Sequence, residues 1–428
     1  MRVIRSATLA DDRVRDVRID GDGRIDAVGT GLSGATAIDA TGKRLLPGMI
    51  DAHVHFRQPG YGHKETWATG SRSAAAGGVT TVVDQPNTDP PTVDGEAFDE
   101  KLALARDSLV DFGINGGVTP DWDPDSLFER PLFALGEVFL ADSTGDMGID
   151  PDRFEDAVRR AAAEDVVVTV HAEDASYFDD DAKERDDPDA WSAYRTAQAE
   201  AVAVARAVEV GSEVDARIHI AHASTPEGID QASAAGATTE VTPHHVFLSR
   251  EDLPELGTSG RMNPPLRSEE RRLGVFDRVV DGAVDIVATD HAPHTREEKD
   301  ASIWDAPSGV PGVETALPLL LAEAATGSLS YERVRDLTAA NVAEIFSLPR
   351  KGRIEPGRDA DLVLFDPTDV REIRATDLHS NCDWTPFEGM NGIFPEVTMV
   401  RGAVAWESES ASGSETFGSA IGENVRTD

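Results

Sequence analysis

Between residues 48 and 345, short apolar runs alternate with Ala-rich amphipathic segments, and no other feature of the sequence constrains the fold as strongly. Segments such as PDRFEDAVRRAAAE and AQAEAVAVARAVEVG have the spacing of helices that bury one face. The apolar runs between them have the length of buried strands. This alternation predicts βα units around a parallel sheet, which we expect to be closed into a barrel.

Both ends of the chain have a different pattern, in which apolar and polar residues alternate over short segments, as in strands. RVIRSATL, RVRDVRID and GRIDAVG open the sequence, and DADLVLFDP and EVTMVRGAVAWE stand near its end. These segments predict one β subdomain, built from residues 1–47 and 346–405, beside a barrel of residues 48–345. The Ser/Gly/Glu-rich residues 406–428 are expected to form a mobile tail.

The charge balance limits the class of partner. There are 40 basic and 79 acidic residues, a formal net charge of −39, which disfavours nucleic acid and anionic membranes as partners. Lysine is scarce, with six in the chain. Such a surface suits a cytosol of high salt, where screening reduces self-repulsion, although an acidic mesophilic protein is the alternative. We therefore expect small-molecule chemistry.

Cysteine content and the first residues indicate the compartment. Cys382 is the only cysteine, so an intrachain disulfide is excluded and a reducing interior is the simplest location. The opening MRVIRSATLADDR lacks the apolar stretch of a signal peptide, and no later run is long and apolar enough for a membrane span. These features predict a soluble cytoplasmic protein.

Histidines and an aspartate stand where predicted strands meet their following loops. His53 and His55 are two residues apart in an apparent strand and therefore share a face. His171, His222 and Asp290 end three further apolar runs. Imidazoles and a carboxylate suit Zn²⁺ or a similar ion, and parallel barrels build their sites at this end of the strands. The pattern predicts a metal site.

Other histidines are weaker candidates. A His-x-His pair alone also occurs by chance. His219 lies three residues before His222, so on a strand it faces the other side, which favours packing or support of a ligand. His244 and His245 are ambiguous, and we expect one of them near the site without a metal role.

Glu137 is a lone carboxylate in the strand-like run ALGEVF. A buried carboxylate is costly unless it is paired or binds a metal. The predicted metal site supplies such a partner.

Eight segments, in order, resemble the amidohydrolase superfamily, and within it the long, class I dihydroorotases. They are PGMIDAHVHFRQPG, KETWATGSRSAAAGGVTTVVDQPNT, HAED, HIAHAST, RMNPPLR, TDHAPH, GVPGVET and GRDADLVLFD. The resemblance covers nearly the whole chain. It implies a (β/α)₈ TIM-like barrel with an accessory β-sandwich subdomain. It also implies interconversion of N-carbamoyl-L-aspartate and L-dihydroorotate in de novo pyrimidine (UMP) biosynthesis.

The resemblance also implies roles for individual residues. Asp290 matches both a metal ligand and the group that transfers the proton. The other matching metal ligands are His53, His55, His171 and His222. The residues that match substrate contacts are His55, Arg57, Asn87, Asn263, His294, Ser308 and Gly309.

Two positions in the motifs bear on specificity. Arg57 could hold the substrate's α-carboxylate bidentately, whereas allantoinase-like sequences tend to have Asn there and act on substrates that lack this carboxylate. Arg57 therefore favours the dihydroorotase reaction. Gln85 departs from the methionine usual in its motif and abuts the site.

The main departure from the family pattern is at Glu137. In most relatives the aligned residue is a lysine carbamylated by CO₂ that bridges two metals. Glutamate has the same charge but is roughly 3–4 Å shorter. One or two Zn²⁺ ions per chain are therefore expected, and a pair bridged by Glu137 is favoured. Asp142 is the alternative bridging residue, and a metal-free, salt-bridged Glu137 is the third reading.

Two other functions remain open. An inactive scaffold that supports a partner enzyme would lose metal ligands, and here the four histidines and Asp290 are present. Another cyclic amidohydrolase, of the allantoinase or dihydropyrimidinase type, would differ at the Arg57 position. The sequence leaves open lid motion, association with other enzymes of the pathway and whether the chain forms a homo-oligomer.

Overall fold

A computed structural model describes residues 1–141, 147–409 and 414–427. The chain begins with five strands, which are β1 (Arg2–Thr8), β2 (Val14–Ile19), β3 (Ile25–Gly29), β4 (Ala35–Asp39) and β5 (Arg44–Pro47). Eight parallel strands follow, namely β6 (Met49–Val54), β7 (Val79–Asp84), β8 (Asp111–Ile114), β9 (Leu135–Phe139), β10 (Val168–His171), β11 (Ile218–Ile220), β12 (Thr238–Val241) and β13 (Ile286–Val287).

The eight parallel strands close into a barrel. Strands β6 to β8 form one hydrogen-bonded group and β9 to β13 another. A parallel bridge between Gly116 and Leu135 joins the two groups on one side, and a bridge between Val54 and His291 joins them on the other. The structure thereby confirms the predicted (β/α)₈ barrel.

Fourteen α-helical segments lie in the described part of the chain, and most of them connect barrel strands. They are α1 (Trp67–Ala76), α2 (Gly95–Ala105), α3 (Pro124–Phe128), α4 (Pro151–Ala163), α5 (Ala190–Tyr194), α6 (Ala197–Glu213), α7 (Pro226–Ala234), α8 (Pro243–Phe247), α9 (Leu253–Leu256), α10 (Glu269–Asp281), α11 (Arg296–Lys299), α12 (Ala316–Thr326), α13 (Tyr331–Arg335) and α14 (Asn341–Ile345).

The helix starts follow local sequence. Asp150 before α4 and Thr225 before α7 each accept a hydrogen bond from a backbone N–H of the first turn, and proline occupies the first helical position. An N-cap oxygen satisfies an N–H that has no partner within the helix, and proline there sacrifices no helical bond. Among residues that the structure describes, no helix is long and apolar enough to span a bilayer.

Six more strands follow the barrel, β14 (Leu362–Phe365), β15 (Val370–Glu372), β16 (Asn391–Ile393), β17 (Val397–Val400), β18 (Ala403–Glu409) and β19 (Ser414–Phe417). Strands β14, β17, β18 and β19 join β1 to β5 in one nine-stranded sheet. The predicted accessory β subdomain therefore does draw on both ends of the chain. The bounds proposed for the individual domains stay a prediction.

Strand β14 shows how the sheet contacts the barrel. Leu362 and Leu364 pack in the core of the terminal strands, with Ile4 and Val17, whereas Val363 and Phe365 pack in the barrel core. Successive side chains of a strand point to opposite faces. The sheet therefore lies between its own core and the barrel, and both faces of β14 are buried.

The segment after residue 405, for which a mobile tail is predicted from 406 onward, makes backbone pairs with the rest of the chain. Strand β18 continues to Glu409, and Ser414–Phe417 pairs with it. Farther on, the N–H of Phe112 donates to the backbone of Glu423, and the N–H of Val425 donates to Phe112. Backbone pairing thus involves this segment although its composition is polar, and its mobility stays a prediction. Residues 410–413 and 428 lie outside the described residues.

A buried lysine links the barrel to the terminal sheet. Lys351 Nζ lies 2.5 Å from carboxylate oxygens of Asp111, which begins β8, and of Asp361, which precedes β14. All three residues are at most 5% exposed. Removing one partner of a buried ion pair leaves an uncompensated charge, which is far more costly than losing a surface pair.

We predict that Lys351→Met destabilises the protein by about 3–5 kcal/mol, because Asp361 loses its cation and Asp111 keeps only Arg401. The measurement is chemical unfolding in a high-salt buffer. Lys183→Met is the control, since Lys183 forms an exposed pair with Asp180, and such pairs contribute about 0–1 kcal/mol. Equal unfolding midpoints for the two variants would contradict this role of Lys351.

Candidate metal centre

The predicted metal ligands meet at the carboxyl end of the barrel strands. His53 lies in β6, Glu137 in β9 and His171 at the end of β10, while His222 and Asp290 follow β11 and β13. His55 follows β6 directly. All six side chains are buried, so the six residues form one cluster at the rim where barrel enzymes carry their sites.

One group of donor atoms surrounds His53. Its Nε2 lies 3.4 Å from Glu137 Oε2 and 3.6 Å from Asp290 Oδ1. His55 Nε2 lies 2.9 Å from the same Asp290 oxygen. Two imidazoles and two carboxylates therefore face one small volume.

A second group shares Glu137. Its Oε1 lies 2.8 Å from His171 Nδ1 and is in contact with His222 Nε2. The two imidazole nitrogens are 3.1 Å apart. The two oxygens of one carboxylate thus face two different sets of imidazoles.

Two buried carboxylates contact the imidazole nitrogens that face away from the centre and so orient the rings of His53 and His171. Glu240 Oε1 lies 2.6 Å from His53 Nδ1, and Glu173 Oε2 lies 2.9 Å from His171 Nε2. These contacts leave His53 Nε2 and His171 Nδ1 directed to the centre, as such partners do in metal sites. His219 contacts Glu240, which agrees with the supporting place expected for it.

Sequence reasoning missed Glu173 and Glu240. Glu173 stands in HAED, two residues after His171, and a buried acid beside a ligand histidine is a usable signal. Glu240 lies in β12, far from His53 in sequence, and only the closed barrel brings the two together.

The donor set fits a divalent cation. His53 Nε2 is buried and has no hydrogen-bond partner among the described residues. Donor atoms that share a tetrahedral ion at about 2.0–2.1 Å lie about 3.3 Å apart, close to the 3.1–3.6 Å of several pairs here. Imidazole and carboxylate are also the ligand types that such ions prefer.

The local electrostatics keep both central carboxylates charged. Burial alone would raise the pKa of Glu137, but the imidazoles of His222 and His53 lower it well below its usual range. For Asp290, burial is likewise outweighed by the hydrogen bond with His55 and by neighbouring imidazoles, so its pKa is lowered. Both groups are therefore available as anionic donors.

The predicted substrate residues lie beside this centre. Five of them line the same pocket as His55 and Asp290, namely Arg57, Asn87, Asn263, Ser308 and Gly309. His294 adjoins them, with its Nε2 3.1 Å from Arg57 Nη2. The pocket also includes Phe139 and Ala292, which sequence reasoning did not single out.

Arg57 is the unusual cation of the pocket. Its side chain is 4% exposed, yet no carboxylate lies within ion-pair distance of it in the part of the chain that the structure describes. A buried guanidinium without a carboxylate is a costly arrangement. It is suited to receive an anionic group of a ligand.

Two asparagines are already partly engaged. Asn87 Oδ1 lies 2.7 Å from His55 Nδ1, so it accepts that N–H and leaves its own NH₂ for the pocket. Asn263 Oδ1 accepts from the Trp191 indole at 2.9 Å.

Asp142, the alternative bridging residue, lies outside the described residues.

Gln85 positions Glu137 through the backbone. Its Oε1 accepts from the Glu137 N–H at 2.9 Å and from Asn115 Nδ2 at 3.0 Å. Its Nε2 donates to the Ala52 carbonyl at 3.2 Å. One buried amide therefore joins three barrel strands at the level of Glu137, a role that sequence reasoning did not assign.

Comparisons with known proteins agree with this architecture. The amidohydrolase family model matches residues 44–404. A dihydroorotase of Halobacterium salinarum is 70% identical over 428 residues, covering 100% of both chains. A dihydroorotase of Methanosarcina acetivorans is 45% identical, covering 87% of this chain and 84% of the relative. The chain belongs to the amidohydrolase family.

The solved structures agree on the fold. An L-hydantoinase (dihydropyrimidinase) from Arthrobacter aurescens superimposes with a TM-score of 0.93, at 27% identity, over 99% of both chains. The barrel and the accessory β subdomain are therefore shared with a solved enzyme.

We predict that Gln85→Met lowers the free energy of unfolding by about 1–3 kcal/mol, because the Glu137 N–H and the Asn115 amide lose their acceptor in a buried site. We also expect weaker cation binding, since Glu137 loses a backbone anchor. Unfolding and cation titration against a chelator measure the two effects. Gln231→Met, at an exposed position of α7, is the control, and a matching loss there would contradict the specific role of Gln85.

Proposed function

We propose that this member of the amidohydrolase family is a dihydroorotase that interconverts N-carbamoyl-L-aspartate and L-dihydroorotate in pyrimidine biosynthesis. The observation that carries the proposal is the buried guanidinium of Arg57, which faces the candidate metal centre without a carboxylate partner among the described residues. The 70% identity to a dihydroorotase over the full chain supports the same reaction.

The metal centre is proposed to hold two Zn²⁺ ions. His53, His55 and Asp290 would hold one ion, and His171 and His222 the other. Glu137, whose two oxygens face the two sets of imidazoles, would be shared between them. The support is the opposite placement of these oxygens, one facing His53 and the other facing His171. When bound, such ions lower the pKa of water to about 7 and polarise a carbonyl.

The protein's own groups then have separate tasks. Asp290 is proposed to take the proton of the attacking water and to return it to the departing ring nitrogen; cyclisation runs the same steps in reverse. Its lowered pKa keeps it ionised and ready to accept. The hydrogen bond with His55 holds its Oδ1 at the centre.

The residues across the pocket from the metal centre are proposed to bind the substrate. Arg57 is proposed to hold the α-carboxylate, with the Asn87 NH₂ beside it. Asn263, His294 and the backbone of Ser308 and Gly309 are proposed to contact the rest of the ring. A substrate held at several points is aligned before reaction, which lowers the barrier.

The direct test is cyclisation of N-carbamoyl-L-aspartate by the purified protein at high salt, with added Zn²⁺ and with chelator. We expect turnover that chelator abolishes and Zn²⁺ restores. Bound metal without turnover would indicate another cyclic amide, and absence of both would indicate a scaffold.

For Arg57→Met we predict a KM for dihydroorotate raised about 10- to 100-fold, because a charge-assisted contact with the carboxylate is lost. Steady-state kinetics in both directions provide the measurement. Dihydrouracil, which lacks the carboxylate, is the control substrate. Efficient turnover of dihydrouracil by the unmodified protein would argue against Arg57 as the determinant of specificity.

For Glu137→Ala we predict fewer bound cations per chain, since neither oxygen remains to join the two sets of imidazoles. Elemental analysis after dialysis measures the content. Asp142→Ala, at the alternative position, is the matched control and is expected to keep the full content. The bridging role is refuted if Glu137→Ala retains two ions or if only Asp142→Ala loses one.

The setting of the enzyme is also proposed. A charge of −39 favours a cytosol of high salt, and the most suitable partner is the small substrate rather than nucleic acid or membrane. Oligomeric state is open to measurement by light scattering.

A further inference from the structure

Lys64 lies behind the substrate side of the pocket and is not used by the proposed mechanism. Two successive turns connect Arg57 to Lys64. The Tyr61 N–H donates to the Arg57 carbonyl, and the Lys64 N–H donates to the Tyr61 carbonyl, both at 2.9 Å. Its Nζ lies 3.1 Å from His294 Nδ1 and 3.2 Å from Glu298 Oε1. The ammonium therefore bridges an imidazole and a carboxylate.

This contact determines which nitrogen of His294 carries the proton. An ammonium has only donors, so His294 Nδ1 must offer its lone pair to Lys64. The proton then resides on Nε2, where it is donated to the Ser308 carbonyl at 3.0 Å. Burial, followed by the charge of Arg57, lowers the pKa of His294 to about 3, so the ring is neutral and has one proton to place.

The choice of tautomer affects Arg57. Arg57 Nη2 lies 3.1 Å from His294 Nε2, and a guanidinium also has only donors. With the proton on Nε2, that nitrogen has no lone pair to accept the Arg57 Nη2–H that points toward it. The Nη2 donor is then left for a ligand, while Arg57 Nε keeps its hydrogen bond to the Pro293 carbonyl.

The other tautomer would reverse the arrangement. A proton on Nδ1 would face Glu298 Oε2, now 3.7 Å away. Nε2 would then accept from Arg57, and the Ser308 carbonyl would lose its donor. Arg57 would be engaged by a protein group, and the loop at Ser308 and Gly309 would lose one of its anchors.

We propose that Lys64 is a positioning residue that selects the Nε2-protonated tautomer of His294 and thereby leaves the Nη2 donor of Arg57 to bind the carboxylate of the substrate. The inference rests on the proposed function for the identity of that carboxylate. The tautomer itself rests only on the contacts among Lys64, His294, Arg57 and Ser308.

The test compares Lys64→Met with the unmodified holoenzyme. Without the ammonium, Nδ1 can donate to Glu298, so we expect the proton to move to Nδ1. Long-range ¹H–¹⁵N correlation spectra of ¹⁵N-histidine-labelled protein report the tautomer, and His294→Gln identifies the resonances. We expect KM for dihydroorotate to rise about tenfold, the effect of one weakened hydrogen bond, with kcat little changed.

Two control variants separate this role from general effects. Lys43→Met removes one positive charge in the terminal sheet, where Lys43 pairs with Glu396, and should leave both the tautomer and KM unchanged. Lys64→Arg keeps a donor at the position and should restore the Nε2 tautomer and most of the affinity. An equal rise in KM for Lys43→Met would assign the effect to net charge and overturn the proposal.

The remaining outcomes also test the proposed role of Lys64. An unchanged tautomer in Lys64→Met, or a changed tautomer with an unchanged KM, would overturn the role of Lys64. Loss of kcat with unchanged KM would do the same. If the unmodified holoenzyme does not turn over dihydroorotate, the proposed function fails, and the spectra alone decide whether Lys64 sets the tautomer.

Discussion

The structure of the site depends on the position of the Glu137 carboxylate between two sets of imidazoles. Its Oε2 faces His53 at 3.4 Å and its Oε1 faces His171 at 2.8 Å. A carboxylate at 3% exposure is costly unless charges of opposite sign surround it. The neighbouring histidines reduce this cost, and cations held by the same groups would reduce it further. The barrel strands must therefore close with a register that brings these side chains to one point.

The second constraint is the contrast in charge between the acidic chain as a whole and the cations around its pocket. A protein with a net charge of −39 repels an anionic ligand at long range. Around the pocket, however, Arg57 and Lys299 are buried without a carboxylate within ion-pair distance among the described residues, and Lys299 donates to the carbonyls of Arg261 and Pro307. Lys64 is paired with Glu298, and burial lowers the pKa of Lys299 well below its usual range. Arg57 is therefore the group that offers an unpaired positive charge to an anionic ligand in the pocket.

The sequence predicts the fold and the candidate metal donors better than it predicts the buried residues that hydrogen-bond to these donors. Strand ends and the spacing of His53 and His55 follow from local patterns, and closure of a parallel barrel brings strand ends to one rim. The partnership of Glu240 with His53 depends on pairing distant strands, which local patterns do not encode. The backbone pairing of the chain end with Phe112 is likewise a contact between distant segments that the local composition does not encode.

Under the proposed bridging role, the short side chain of Glu137 relative to a carbamylated lysine makes the position of its backbone important, and Gln85 contacts that backbone. A side chain that is roughly 3–4 Å shorter must start from a backbone held at the right depth. The Gln85 amide fixes that depth by accepting the Glu137 N–H while it donates to the Ala52 carbonyl of β6. A methionine has no such acceptor or donor. Glutamine at residue 85 thus anchors the backbone of Glu137 through a hydrogen bond that a methionine at the same position cannot make.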